Sequence, residues 1–115
     1  MSTPVGPYTP IVKAGPWLVS SGQVGIEDGA LVDGGLGPQF RQALANLQAL
    51  FEGEGSSLAD ITKTTVFLTD MDHYAEMNEI YIEVFGDHRP ARSAVAVAQL
   101  PIGALVEIEA SAYVG

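Results

Sequence analysis

The chain has 115 residues, no cysteine and a formal net charge of −9, from five Lys and Arg against 14 Asp and Glu. This length predicts a single domain over 1–115, and the missing cysteines exclude disulfides, thiolate metal sites and thiol nucleophiles. The acidic balance argues against nucleic acid and anionic membranes as partners, because phosphate binding needs clustered Lys and Arg. With no basic leader and no apolar run of about 18 residues, we expect a cytoplasmic protein without a membrane segment.

The first half of the chain predicts two strands, a hairpin and a helix. After an irregular arm at 1–10, strands are expected at 11–14 and 17–23, and Asp28-Gly29 is a hairpin signal. Pro38 suits the start of a helix. The apolar positions of that helix follow a single 3.6-residue stripe, formed by Phe40, Ala43, Leu44, Leu47, Leu50 and Phe51.

The second half predicts strand, helix, strand, strand. A β-branched and aromatic run at 61–68 is typical of a strand, and Asp70 or Asp72 can cap the helix that follows. Two further strands are expected at 90–98 and 105–114. The apolar stripe of the second helix consists of Tyr74, Met77, Tyr81, Val84 and Phe85.

This order of elements predicts an α+β fold, with a single mixed β-sheet and two helices packed on one face. In the last strand, alternation directs one set of residues toward the helices: Val106, Ile108, Ala110, Ala112 and Val114. Glu107 and Glu109 then share the far face, about 7 Å apart along the strand. The preceding strand is apolar on both sides, so we expect a second subunit to cover the far face.

Two charged residues lie at unusual places in these strands. Arg92 begins an otherwise uncharged strand, where a guanidinium could grip a carboxylate with two parallel hydrogen bonds, or simply lie on the surface. Glu107 lies between two apolar residues and is a candidate general base, because burial raises a carboxyl pKa. The sequence alone does not choose between Glu107 and Glu109.

Several other kinds of site have weak support. Ser20–Gln23 ends a strand in small residues, which lets backbone approach a ligand, but a nucleophilic Ser needs a His base. His73 and His88 are both expected on the surface, and neither lies in a metal-binding pattern. Tyr8 could anchor the arm or line a pocket. Asn78 could tether another element or face solvent.

In combination, these segments resemble the RidA/YjgF family from about residue 6 to residue 114. The most specific pieces are Pro90-Ala91-Arg92-Ser93 and Glu107-Ile108-Glu109-Ala110. The others are Gly6-Pro7-Tyr8, Ser21-Gly22-Gln23, Lys63-Thr64-Thr65-Val66-Phe67-Leu68, Asn78-Glu79-Ile80-Tyr81 and Leu100-Pro101. The chain departs from the deaminase branch at Ala94, which is often Cys there, and in a shorter Gly86–Arg89 loop.

The resemblance implies a chorismate-mutase-like fold and a homotrimer whose sheets form a barrel with clefts between subunits. It implies hydrolysis of 2-imino acids and their enamines (2-iminobutanoate, 2-iminopropanoate) to 2-keto acids and ammonia, without cofactor or metal. Carried over by position, Arg92 holds the substrate carboxylate and Glu107 orients or activates the water. The same match gives four residues that line or support the cleft: Tyr8, Ser21, Gly22 and Asn78.

Two other functions remain open at this point. One is a non-catalytic member that binds a small carboxylate in the Arg92 cleft, and the other is a hydrolase or tautomerase acting on a different imine or carbonyl. Presence of both Arg92 and Glu107 favours an enzyme over a binder. Ribonuclease activity, attached to some relatives of the family, is the least favoured because of the charge of −9.

Overall fold

The computed structural model describes residues 6–115, so residues 1–5 of the predicted arm lie outside the described part. Four strands, a long helix, a strand, a second helix and two strands follow one another. Their bounds are β1 Ile11–Ala14, β2 Trp17–Ser20, β3 Ile26–Glu27, β4 Ala30–Leu31, α1 Leu36–Gly53, β5 Ile61–Leu68, α2 Tyr74–Phe85, β6 Ala91–Ala96 and β7 Val106–Tyr113.

The main sheet has the order β1-β2-β7-β5-β6, with β5 and β6 parallel and the other pairs antiparallel. Both helices pack on one face of it, which confirms the predicted α+β class. The predicted hairpin is the separate β3–β4 pair, whose turn residues Asp28 and Gly29 have φ of 53° and 82°. Positive φ at both positions is what a two-residue hairpin turn of this kind requires.

Alternation along β7 divides the sheet into a covered and a bare face. Four of the five residues expected to face the helices are buried: Val106, Ile108, Ala110 and Ala112. The fifth expectation was wrong, because Val114 lies beyond the end of β7, is 39% exposed and donates its N–H to the Pro16 carbonyl. The strand expected at 90–98 is likewise shorter and ends at Ala96.

The first helix begins two residues before the predicted start. Gly34 and Gly35 adopt φ of 110° and 85°, a region that favours glycine, and they turn the chain so that Leu36 begins α1. Pro38 then falls within the first turn, where its missing N–H costs no helical hydrogen bond. The whole predicted stripe of α1 is buried against the sheet.

The second helix differs from its prediction at its first turn. Asp70 caps a short 3₁₀ turn at Met71–His73 by accepting the Asp72 N–H, and α2 begins only at Tyr74. Tyr74 was expected in the apolar stripe, but it is 38% exposed. Over residues 6–115, neither helix has the length and hydropathy that a membrane crossing demands.

Close backbone packing at Gly25 yields a test of this architecture. A Cβ at Gly25 would lie 2.5 Å from the Gln39 carbonyl oxygen and 2.7 Å from its Cα, so Gly25→Ala must push α1 away from the loop. We expect a loss of about 1–3 kcal/mol in the free energy of unfolding, the usual cost of overpacking. Denaturant unfolding at fixed protein concentration measures it.

The matched control is Gly53→Ala at the end of α1, where an added Cβ meets nothing within 4 Å. Alanine has the better helix propensity, so this variant should equal or exceed the parent in stability. Equal stability of the Gly25→Ala and Gly53→Ala variants would contradict the packing described here.

Candidate functional site

Arg92 leaves β6 on the face that the helices cover. It is paired across the sheet with Thr64 of β5, which is fully buried. Its Nη1 donates to Asn78 Oδ1 at 2.7 Å and its Nη2 donates to the Tyr74 hydroxyl at 3.1 Å. Two residues one turn apart on α2 therefore fix the orientation of the guanidinium.

Aromatic rings support the same guanidinium. Its central carbon lies 4.9 Å from the ring centroid of Tyr81 and 5.6 Å from that of Tyr74, within the range of cation–π attraction. The Tyr81 hydroxyl is itself 2.7 Å from Thr64 Oγ1, and its ring stacks on Phe85. Arg92 is thus placed by a rigid part of the core.

The charge of Arg92 meets only neutral groups in the described part of the chain. Three of its five N–H donors are engaged, by the Met77 sulfur, Asn78 and Tyr74. The remaining two match the number of oxygens on a carboxylate. A pocket of about 310 Å³ opens here, lined by Asn78, Tyr81, Ile82, Arg89, Pro90 and Arg92.

Glu107 lies on β7, beside a break in the pairing of β2 with that strand. The strand expected at 17–23 ends at Ser20, whose Oγ accepts the Ala110 N–H at 3.0 Å in place of a backbone carbonyl. Gln23 then rejoins β7 through two hydrogen bonds with Ile108, of 2.7 and 2.9 Å. The residues between Ser20 and Gln23 are left out of the ladder, next to Glu107.

Of the two residues next to Glu107, Gly22 contacts its carboxylate and Ser21 contacts the N-terminal arm. A Cβ at Gly22 would lie 2.5 Å from Glu107 Oε2, so glycine is what lets the carboxylate reach the backbone. Ser21 donates its N–H to the Pro10 carbonyl at 2.8 Å and its hydroxyl to the Thr9 carbonyl at 2.6 Å. These bonds fix the arm that carries Tyr8. A pocket of about 300 Å³ results, lined by Tyr8, Ser21, Gly22, Pro101 and Glu107.

The two carboxylates of β7 differ in their surroundings. Burial raises the pKa of Glu107, and the like charge of Glu109 adds to that increase. Glu109 is on the same face but is exposed. Glu107 is therefore the carboxylate whose ionised form is the less well solvated.

The chain does not bring all the predicted residues together. Arg92 and Asn78 lie in one pocket, on the helix-covered face, whereas Tyr8, Ser21, Gly22 and Glu107 lie in another. Glu107 is paired with Phe67 of β5, three residues along from Thr64, so it projects from the opposite face to Arg92. Each pocket holds one of the two charged groups.

Sequence reasoning missed the aromatic part of the Arg92 pocket. Tyr74, Asn78 and Tyr81 occupy positions i, i+4 and i+7 of α2, which share one helix face, but both tyrosines were assigned to the apolar stripe. Tyr81 is buried in the core as expected and its ring also faces Arg92, whereas Tyr74 is exposed. His88 was expected to lie on the surface, and it is instead half-buried, with Nε2 2.7 Å from the Ile61 carbonyl oxygen. Within residues 6–115, no cluster of three or more His, Cys, Asp and Glu could hold a metal ion.

The chain is similar in sequence to known proteins over nearly its whole length. The family model described as Endoribonuclease L-PSP matches residues 1–114. A RutC family protein of Pyrococcus horikoshii is 48% identical over 112 residues, covering 96% of this chain and 89% of its own. The human 2-iminobutanoate/2-iminopropanoate deaminase is 39% identical over 113 residues, covering 96% and 82%. The mitochondrial protein mmf1 of Schizosaccharomyces pombe is 44% identical over 107 residues, covering 90% and 66%.

Solved structures agree with the fold. RidA from an Antarctic Psychrobacter species superposes with a TM-score of 0.93 at 40% identity, covering 96% of this chain and 91% of its own. The YjgF gene product of E. coli gives a TM-score of 0.90 at 39% identity, covering 96% and 90%.

The raised pKa of Glu107 has a consequence for stability. The unfolded chain binds this proton less tightly than the folded one, so stability falls as pH rises from the unfolded to the folded pKa. Above the folded value the loss is complete and constant. We therefore expect Glu107→Gln to be more stable than the parent at pH 7, with the difference vanishing near pH 3, below both values.

Denaturant unfolding across this pH range provides the measurement, with Glu109→Gln as the control. That variant removes only the like charge near Glu107 and should raise stability at pH 7 by less. A Glu107→Gln variant whose stability follows that of the parent at every pH would show that the carboxylate is not destabilised by its surroundings.

Proposed function

The chain belongs to the Endoribonuclease L-PSP family, that of the RidA/YjgF proteins, and we propose that it hydrolyses 2-imino acids to 2-keto acids and ammonia. The observation that carries this proposal is a pair of complementary half-sites. One holds a guanidinium with neutral partners and two uncommitted donors, and the other holds a carboxylate of raised pKa. The deaminase names of the human and mouse relatives support the same reaction.

A second copy of the chain would complete this site. The bare face of the sheet exposes several apolar side chains, among them Val19, Val95 and Tyr113, which are 45%, 43% and 53% exposed. A small domain gains stability by covering such a face with another subunit, in an assembly of closed symmetry. In the homotrimer that we propose, Arg92 of one subunit faces Glu107 of its neighbour across the cleft.

The chemistry asked of such a site is modest. Arg92 would bind the carboxylate next to the imine carbon and so orient that carbon, an effect of proximity rather than activation. The imine reacts as its nitrogen-protonated form, and Glu107 would accept a proton from the water as the water oxygen bonds to the imine carbon, giving a neutral carbinolamine. The proton held by Glu107 would then pass to the amino nitrogen, and the C–N bond would break to release ammonia. The hydroxyl proton would leave to that ammonia as the C=O bond of the 2-keto acid forms, so the products are the keto acid and ammonium.

The endoribonuclease description in the family name does not enter this proposal. A polynucleotide is held by several Lys and Arg along its backbone, but the chain has five in total against 14 acids. Arg41 is paired with Glu83 at 2.8 Å, and Lys63 donates to Ser93 at 2.8 Å. So few free basic residues can hold a small anion at one site but not a polynucleotide along its backbone.

The roles of the two carboxylates can be separated kinetically. We expect Glu107→Gln to lower the rate of imine hydrolysis by about 10²-fold, as is usual for a lost general base, and Glu109→Gln to remain near the parental rate. Only ionised Glu107 accepts a proton, so the parental rate should fall on acidification at a pH above the ordinary glutamate value of about 4.3. Threonine dehydratase supplies 2-iminobutanoate, and keto-acid formation is followed.

Two results of that assay would contradict the assignment. A crippled Glu109→Gln variant beside an active Glu107→Gln variant would give the role to the other carboxylate. Full activity of both would mean that neither carboxylate handles the water, and that the cleft contributes mainly orientation of a reactive imine.

Mixing of subunits tests whether the site spans two chains. Arg92→Ala and Glu107→Gln should each be nearly inactive alone. If Arg92 and Glu107 of one site come from different subunits, random assembly of an equal mixture regenerates about a quarter of the sites with both native residues. Co-refolded mixtures should therefore recover about a quarter of the parental activity, and sedimentation of the parent should give a trimer. No recovery, or a well-folded monomer at micromolar concentration, would overturn the shared site.

A further inference from the structure

Two of the five basic residues of the chain line one pocket. Arg89 shares with Arg92 the pocket of about 310 Å³, and neither forms an ion pair with an acid within residues 6–115. In a chain with 14 acidic residues, two adjacent guanidiniums without acidic partners concentrate positive potential at one place. Arg92 alone suffices for one carboxylate, so the second charge calls for its own explanation.

The loop that carries Arg89 is anchored rather than free. Arg89 Nη1 donates to the Gly86 carbonyl, which bends the side chain back over its own loop. The His88 ring, 2.7 Å from the Ile61 carbonyl oxygen, ties the same loop to the start of β5. Pro90 follows directly, and its ring fixes φ just before β6 begins.

Tyr81 lines the same pocket as both guanidiniums. Burial raises the pKa of Tyr81, while the hydrogen bond to Thr64 and the charges of Arg92 and Arg89 act in the opposite direction. Arg92 lies over that ring at 4.9 Å. The two positive charges border the same small volume, to which the exposed Ile82 contributes an apolar side chain.

We propose that Arg89 binds a second acidic group of the substrate, so that this cleft selects dicarboxylic 2-imino acids over monocarboxylic ones. The proposal rests on the function proposed above and adds its substrate class. A pocket of about 310 Å³ is at the small end for ligand sites, which suits a chain of four or five carbons. Without Arg89, a dianion would approach a protein of charge −9 with a single local cation to hold it.

Binding of stable keto acids tests the selectivity without requiring turnover. The probes are 2-oxoglutarate, a dicarboxylate, and 2-oxobutanoate, a monocarboxylate, titrated calorimetrically into the assembled protein. We expect Arg89→Gln to weaken 2-oxoglutarate binding about tenfold while changing 2-oxobutanoate binding less than about twofold, since only the dicarboxylate loses a charge-assisted contact. Arg89→Lys should retain part of the preference, because it keeps the charge but not the planar fork.

Arg41→Gln is the matched control, because it removes the same charge from an exposed pair with Glu83 outside the pocket. It should leave both affinities at the parental values. Equal losses for the two ligands in Arg89→Gln, no loss in either, or the same loss in Arg41→Gln would each overturn the proposal.

Arg92→Ala separates this inference from the proposed function. It should weaken the binding of both ligands, because both present a carboxylate next to the reacting carbon. If Arg92→Ala weakens the binding of both ligands but Arg89→Gln affects the two ligands equally or not at all, the dicarboxylate inference fails and the Arg92 site stands. If Arg92→Ala weakens the binding of neither ligand, the assigned cleft is wrong and both proposals fall.

Discussion

The difference between the two faces of the sheet determines where each candidate group lies. Helices cover one face, and strand pleating sends alternate side chains to opposite sides. Arg92 is in register with the buried Thr64, so its guanidinium lies on the covered side, where Asn78 of α2 contacts it. Glu107 is in register with Phe67, so its carboxylate emerges on the bare side. A single chain of this topology separates the two charges by its own sheet.

Each charge is surrounded by groups suited to a different task. Around Arg92, the hydroxyl of Tyr74 and the amide of Asn78 accept hydrogen bonds without cancelling the positive charge. An Asp or Glu in either place would form an ion pair and block an incoming anion. Around Glu107 the groups are small and backbone-rich, as at Gly22, and burial leaves the carboxylate inclined to take a proton. One region therefore suits anion binding, and the other suits proton transfer.

The sequence predicted most of the fold because its periodicities are long and clear. The stripe of α1 and the alternation of β7 are each set by burial against one partner, and both were confirmed except at Val114. Errors came where a local interaction overrode the pattern. Two glycines with positive φ began α1 before Pro38, and Asp70 capped a 3₁₀ turn instead of α2.

Site geometry was harder to predict, because a polar contact across elements leaves no periodic signal. The side chain of Ser20, rather than a backbone carbonyl, accepts the Ala110 N–H. The strand therefore ends at Ser20, earlier than predicted, and Ser21 and Gly22 do not pair with β7. Tyr74 matched the apolar stripe by spacing, although its hydroxyl serves Arg92. Placing a tyrosine in the core or in a site requires knowing what faces it, and Arg92 lies 18 residues further along the chain. For such residues the fold had to be known first. The same fold makes assembly a condition of the proposed activity. Within one chain the sheet separates Arg92 from Glu107, so a second chain would have to supply the group that the first one lacks at each site.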